Sequence, residues 1–171
     1  MVRLVHVDSK YIRFLFSADN RVMYNKGQRR PYIGILFEVR GHKYYAPLTH
    51  PKEKFKAMKN TEDFMRIEGG KLGAINFNNM IPVVDSAVKH INVADYSDEK
   101  YRMLLISQIS FFDVHATGIV DKATKLYLAY NSKKLRKQVA DRCVNFKVLE
   151  KQSKKYDPNF KYDEAKAKKA V

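Results

Sequence analysis

The run Leu4-Val5-His6-Val7 reads as a short strand. Asp8 or Ser9 behind it can cap a helix through Lys10 to Leu15, with Tyr11, Phe14 and Leu15 on one face. From Ser17 to Arg30 the chain is polar, charged and contains a glycine, the pattern of an exposed loop. Loops of that length are uncommon unless they carry function. Two aromatic and β-branched runs follow, YIGILFEVR over 32–40 and HKYYAPLT over 42–49, and Gly41 between them predicts a β-hairpin. The basic segment PKEKFKAMKN reads as a short helix or a loop. FMRIEGGKLGAINFNNMIPVV then predicts two short strands around Gly69-Gly70, with Pro82 ending a strand or sitting at a sheet edge.

Beyond Ser97 the hydrophobic period changes. Tyr101, Leu104, Leu105, Ile109 and Phe112 recur at helical spacing behind a cap signal at Ser97, with Glu99 and Lys100 in the first turn. Gly118 interrupts this helix, and a second is expected through 125–130. Asn131 or Ser132 can start a third through NSKKLRKQVADR, and Asn145 a last one, FKVLEKQSKKY. Strands first, mostly in antiparallel arrangement, and helices later indicate the α+β class, with the helices packed on one compact, twisted sheet. The expected organisation is a single domain over 1–171, with a basic tail from about 156 to 171. The tail reads as a frayed solvated end or as an extra phosphate contact.

Charge changes the picture more than composition does. The 171 residues are 45% hydrophobic, enough apolar surface to fold, but 33 Lys and Arg face 18 Asp and Glu, giving a net charge of +15. Such an excess costs self-repulsion in the compact state and points to a polyanionic partner: RNA, DNA or an acidic membrane surface. No apolar run approaches the roughly 18 residues of a membrane span, and the N-terminus lacks a long apolar core, so a cytoplasmic location without membrane contact is expected. The single cysteine, Cys143, reads as a small buried apolar residue.

The chain has no GxxxxGK[ST], GxGxxG or HExxH run and no cysteine pair at zinc-ligand spacing, and its five histidines are scattered. No cofactor or metal is expected. RNA carries its own nucleophile in the 2′-hydroxyl, so a protein can cleave it by moving two protons and stabilising charge on the phosphorane oxygens. Thr49-His50-Pro51-Lys52 supplies a hydroxyl, an imidazole and an ammonium at a strand end, the alternative being an ordinary polar turn. Arg29 and Arg30 come close to Thr49 if the hairpin is tight. Tyr24 and Phe77 are core or stacking residues. Tyr44 and Tyr45 must face opposite sides of a strand, so one is expected to be buried and the other free to meet a base. Asn76, Asn78 and Asn79 suit adenine edges, or turns.

The segment YIGILFEVRGHKYYAPLTHPK, with DSKYIRFL, LGAINFNNMIPV and KYRMLLISQISFF in the same order, resembles the ToxN/AbiQ family of endoribonuclease toxins from type III toxin-antitoxin and abortive-infection systems. The resemblance covers most of 1–115 and, less clearly, NFKVLEK. It implies a compact, strongly twisted antiparallel sheet similar to the Kid/MazF class and metal-independent cleavage to a 2′,3′-cyclic phosphate and a 5′-hydroxyl. It also implies an RNA antitoxin, not a protein, made from a repeated precursor that the toxin processes and folded into pseudoknots that bridge toxins into closed assemblies. Carried over by position, it implies catalytic roles for Thr49, His50, Lys52, Arg30 and Tyr11. His50 stands where comparable members commonly carry Ser. Lys10, Tyr24, Arg29, Lys54, Lys56, Asn76, Phe77 and Asn78 are the expected RNA contacts. A non-catalytic RNA-binding module is the rival reading, and DNA binding a third.

Overall fold

The computed structural model describes residues 2–25, 27, 29–159 and 161, so the expected basic tail lies outside the described residues at 160 and from 162 onward. The chain runs β1 (Arg3–Val7), α1 (Ser9–Phe16), β2 (Tyr32–Gly34), β3 (Glu38–Val39), β4 (His42–Thr49), α2 (Lys54–Ala57), β5 (Phe64–Arg66), β6 (Ala74–Asn76), β7 (Ile81–Pro82), β8 (Val88–His90), α3 (Glu99–Asn131), α4 (Lys137–Arg142) and α5 (Phe146–Ser153). The expected α+β class holds: an antiparallel eight-stranded sheet in the order β5-β6-β4-β2-β1-β8, with β3 and β7 also paired to β4, precedes the long helices.

β4 organises the sheet, because its eight residues pair with four strands. On one side Val39 faces His42 and Tyr32 faces Pro47; on the other Ile81 faces Tyr45 and Ala74 faces Thr49. The hairpin at Gly41 forms as expected, Arg40 and Gly41 both taking positive φ (50° and 78°), the backbone of a two-residue turn that matches strand twist. The run before it does not form one strand. Regular pairing is interrupted between Gly34 and Glu38, where the chain stays on β4 through the Leu36 N–H donating to the Tyr44 carbonyl and the Tyr44 N–H donating to the Phe37 carbonyl.

The expectation that one of Tyr44 and Tyr45 is free is corrected. Tyr44 is sealed by Phe37, stacked at 4.7 Å, and by Tyr127 and Phe146, while the ring of Tyr45 lies directly over Gly34 of the neighbouring strand. Alternation sends the two side chains to opposite faces, but both faces are packed. Beneath Tyr44 the carboxylate of Glu150 accepts hydrogen bonds from Tyr44 (2.9 Å) and Tyr127 (2.6 Å) and faces the Lys147 ammonium at 3.1 Å. Desolvation works to raise its pKa, and these three partners outweigh it, so the carboxyl is held below its ordinary range. This polar knot joins β4, α3 and α5 within an otherwise apolar core.

The helical half departs from expectation at three joints. Asp98, not Ser97, caps α3, its side chain accepting from the Tyr101 N–H at 3.1 Å. Gly118 does not interrupt the helix, because Leu105, Gln108, Phe112, Ile119, Ala123 and Leu126 keep one face packed across it. Neither Asn131 nor Ser132 starts the next helix. Both side chains bond back to α3 carbonyls, of Tyr127 and Leu128, and α4 begins only at Lys137 without a side-chain cap. Asn145 does cap α5, accepting from the Val148 N–H.

Continuity has a second consequence: by length and composition α3 is apolar enough to cross a membrane (mean hydropathy 1.4 over its most apolar 18 residues), which corrects the expectation of no such segment. It is docked on the core through the residues just named. Nothing lies within 4 Å of a Cβ added at the exposed Gly118, so Gly118→Ala is expected to raise stability by about 0.5–1 kcal/mol, seen as a melting temperature higher by roughly 1–4 °C. Cys143 is buried as expected, its thiol pushed up to about 12, chiefly by burial.

Candidate active site

The site lies where β4 ends. Thr49 is the last residue of that strand, between the start of β2 and the start of β6, and the two neighbours bring their own side chains to it. From the β2 side comes Arg30. Its guanidinium donates to the Leu48 carbonyl at 2.9 Å and to the Tyr24 carbonyl at 3.2 Å, which commits two of its five N–H donors and fixes its plane one residue from Thr49. Burial lowers the pKa of Arg30, which stays charged at any physiological pH.

The loop that delivers Arg30 is pinned at several points. Buried Asp19 accepts from Arg21 and from the Asn145 backbone N–H, and buried Asn25 donates to the Val7 carbonyl at 2.8 Å. Residues 19–25 are thus held by the start of α5 and by β1, ahead of Arg30.

From the β6 side comes Asn76, whose side-chain Nδ2 donates to Oγ1 of Thr49. The preceding Gly73 approaches so closely that a Cβ there would meet the Thr49 carbonyl oxygen at 2.2 Å, and its φ is +101°. Beyond Thr49, His50 is exposed, its ring 5.9 Å from that of Tyr101 on α3. Lys52 follows in the turn into α2, its ammonium 6.0 Å from the ring of buried Phe55. Thr49, His50 and Lys52 therefore follow one another at this strand end, with Arg30 bonded to the carbonyl of the residue before Thr49.

Three further aromatic residues complete the wall. Tyr101 packs edge-on against Tyr96 at 5.1 Å, and the Tyr96 hydroxyl bonds Nε2 of His6 at 2.8 Å. Nδ1 of His6 faces the Arg30 carbonyl at 3.3 Å. A chain of rings thus runs from His50 to the backbone of Arg30. Sequence reasoning missed it, since His6 and Tyr96 are 90 residues apart and no local pattern couples them. Burial pushes the Tyr101 hydroxyl up to about 12, which keeps it protonated and a donor at neutral pH.

The His6 imidazole is held below its ordinary range, chiefly by burial and with help from the Lys89 ammonium, against the raising effect of the Arg30 carbonyl. Burial likewise lowers His42. The unfolded chain takes up these protons near pH 6.5 while the folded chain stays neutral, so the unfolded state binds more protons and stability falls as pH drops. The melting temperature is expected to decline between about pH 7 and pH 5, and His6→Gln to flatten that slope.

Two expected site residues are corrected. Tyr11 is fully buried; its hydroxyl donates to the Pro82 carbonyl at 2.6 Å, and Pro82 pairs with Tyr44, five residues up β4 from Thr49. At about 3.3 Å per residue that is roughly 17 Å from the site, so Tyr11 is a core residue and does not position a phosphate there. Phe77 is also fully buried, at the start of the short 3-10 turn Phe77–Asn79, and is not a base platform. Of the remaining expected RNA contacts, Tyr24, Arg29, Lys10 and Lys54 are exposed, and Tyr24 and Arg29 belong to the Arg30 arm. Lys56 is ion-paired with Glu53 at 2.9 Å on the exposed face of α2. Asn76 is engaged with Thr49, and Asn78 is half-buried with its backbone carbonyl accepting from the Val144 N–H.

This arrangement sits inside a region that matches known proteins over nearly its whole length. Residues 3–154 match the family model described as toxin ToxN, type III toxin-antitoxin system. The chain is 31% identical over 159 residues to the endoribonuclease ToxN of Bacillus thuringiensis subsp. kurstaki, covering 88% of this chain and 81% of that protein. It is also 31% identical over 130 residues to the endoribonuclease ToxN of Pectobacterium atrosepticum, covering 70% of this chain and 76% of that one. A solved structure from work on selective toxin inhibition by a non-coding RNA pseudoknot in type III systems superposes with a TM-score of 0.78 at 26% identity, over 92% of this chain and 99% of that one. AbiQ, a lactococcal anti-phage endoribonuclease, shares the fold, with a TM-score of 0.77 at 23% identity over 90% of this chain and 96% of its own. With the family model spanning all but the two ends, the chain belongs to the ToxN family of type III toxin-antitoxin toxins.

Proposed function

We propose that the chain is a metal-independent endoribonuclease toxin whose reaction takes place at the end of β4. The observation that carries this reading is the convergence there of Thr49, His50, Lys52 and the fixed Arg30 guanidinium in a protein of this family. The substrate 2′-oxygen attacks the adjacent phosphorus in line, so the 2′-O–P bond forms as the P–O5′ bond breaks. The 2′-hydroxyl proton leaves to His50, with Thr49 relaying, and a proton is returned to O5′. The products are a 2′,3′-cyclic phosphate and a 5′-hydroxyl. An imidazole at position 50 does this near neutral pH, where a hydroxyl can only relay or donate. Lys52 and Arg30 stabilise the charge that grows on the non-bridging oxygens.

The partner that restrains the activity is a small folded RNA, cut by the toxin from a repeated precursor and held with it in a closed assembly. The net charge of +15 suits such a partner, and the inhibitory RNA pseudoknot of the solved type III system supports it. The site of action is the bacterial cytoplasm.

The test is cleavage of RNA in EDTA. Cyclic-phosphate ends are expected, and a single 2′-deoxy substitution at the cut site is expected to abolish them. Cutting at the deoxy position would overturn the mechanism, and tight binding of RNA that stays intact would show a non-catalytic binding module instead.

A further inference from the structure

We infer that Asn76 is a positioning residue that aims the Thr49 hydroxyl at the substrate, an inference that rests on the catalytic reading of Thr49 given above. It replaces the expectation that Asn76 reads a base edge.

The register of the sheet supplies the geometry. Thr49 pairs with Ala74 across β4 and β6, so Asn76, two residues on, lies on the same face and diagonally opposite Thr49. A diagonal neighbour is too far for a short side chain and within reach of an amide. Asn76 is half-buried, and its Nδ2 donates to Oγ1 of Thr49. The backbone of Thr49 is met from the β6 side as well, because Gly73 lies against its carbonyl at a distance no side chain would allow. Thr49 is therefore clamped by the chain that leads into and through β6, main chain and side chain together.

The direction of the hydrogen bond is the chemical point. A hydroxyl has one proton and two acceptor lone pairs. With the amide donating into one lone pair, the Thr49 proton is not spent on Asn76, and the donated bond polarises the O–H and turns it outward. Arg30 reaches this strand end from the β2 side, bonded to the Leu48 carbonyl, and His50 and Lys52 follow Thr49 in the chain. An acceptor at position 76 would draw the proton inward and remove the relay. This explains the use of an amide at the end of β6, where the strand meets the site.

The experiment is a double-mutant cycle on the full-length toxin, with cleavage of one RNA followed at saturating and subsaturating concentrations. Thr49→Val is expected to lower kcat about a hundredfold. Asn76→Ala is expected to lower kcat about tenfold and leave KM within about twofold. In the Thr49→Val background, Asn76→Ala is expected to cost nothing further, because the group it positions is gone. An equal loss in both backgrounds, or a loss confined to KM, would overturn the inference and return Asn76 to direct RNA contact or to a structural role. Full activity of Thr49→Val would remove the catalytic reading itself, and with it the inference. Should the alanine variant fail to fold, Asn76→Ser, too short to reach Oγ1, closes the same cycle.

Discussion

Replacing Lys52 with alanine is expected to slow RNA cleavage about a hundredfold while changing RNA affinity only a few-fold. The ammonium stands in the turn that follows Thr49 and His50, 6.0 Å from the ring of buried Phe55, which packs on the ring of Phe64 at 5.5 Å and whose backbone lies against Gly70. On the proposed mechanism it meets more negative charge in the phosphorane than in the ground state. An interaction that strengthens on the way to the transition state appears in kcat, and a preorganised donor of this kind typically contributes about 3 kcal/mol. Binding is spread over many cations in a chain of net charge +15, so the loss of one changes affinity little and shallows the salt dependence by about one ion. Single-turnover cleavage beside an equilibrium filter assay separates the two quantities. A fall in affinity as deep as the fall in rate would assign Lys52 to binding alone.

Gly73→Ala is expected to damage the fold and the chemistry together. A methyl group there would lie 2.2 Å from the Thr49 carbonyl oxygen and 3.3 Å from its carbon, and neither backbone atom can swing away as a side-chain tip would. The φ of +101° is itself costly for any residue with a Cβ. Together these terms amount to about 3 kcal/mol, or a melting temperature lower by roughly 6–12 °C. The relief available is for β6 to pull back from the end of β4, which also withdraws Asn76 from Thr49. The remaining folded protein is therefore expected to cleave at least tenfold more slowly, measured well below its melting transition. Gly41→Ala, at a turn with open space around it, provides the control: a stability loss of similar origin with cleavage unchanged.

These two glycines show where sequence reasoning succeeds and where it stops. Local signals were legible: the strand at 4–7 with the Asp8 cap behind it, the turn at Gly41, the strand end at Thr49 and the cap at Asn145 all depend on residues a few positions apart. Gly118 was misjudged because the intrinsic cost of one glycine, about 1 kcal/mol, is small beside the packing of a helix face that continues past it. For Phe77 the sequence leaves core and stacking open because an aromatic residue looks the same in either setting, and Tyr11, placed at the site by resemblance alone, lies on the helix face that its pattern with Phe14 and Leu15 predicts to be packed. Tyr96, Tyr101 and His6 were not assigned to the site at all. They meet only after α3 folds back against β1, and the sequence carries no trace of that contact.

The plug formed by α5 has a consequence for the timing of synthesis. β4, with the proposed catalytic strand end, is translated roughly a hundred residues before Glu150 can reach the hydroxyl of Tyr44. Until α5 emerges, Tyr44 lacks its edge contact with Phe146 and its phenol has no carboxylate to meet, although β4 can already pair with its four neighbouring strands. The contacts beneath β4 are thus completed only after residues 30–76, which carry the proposed site, have all been made.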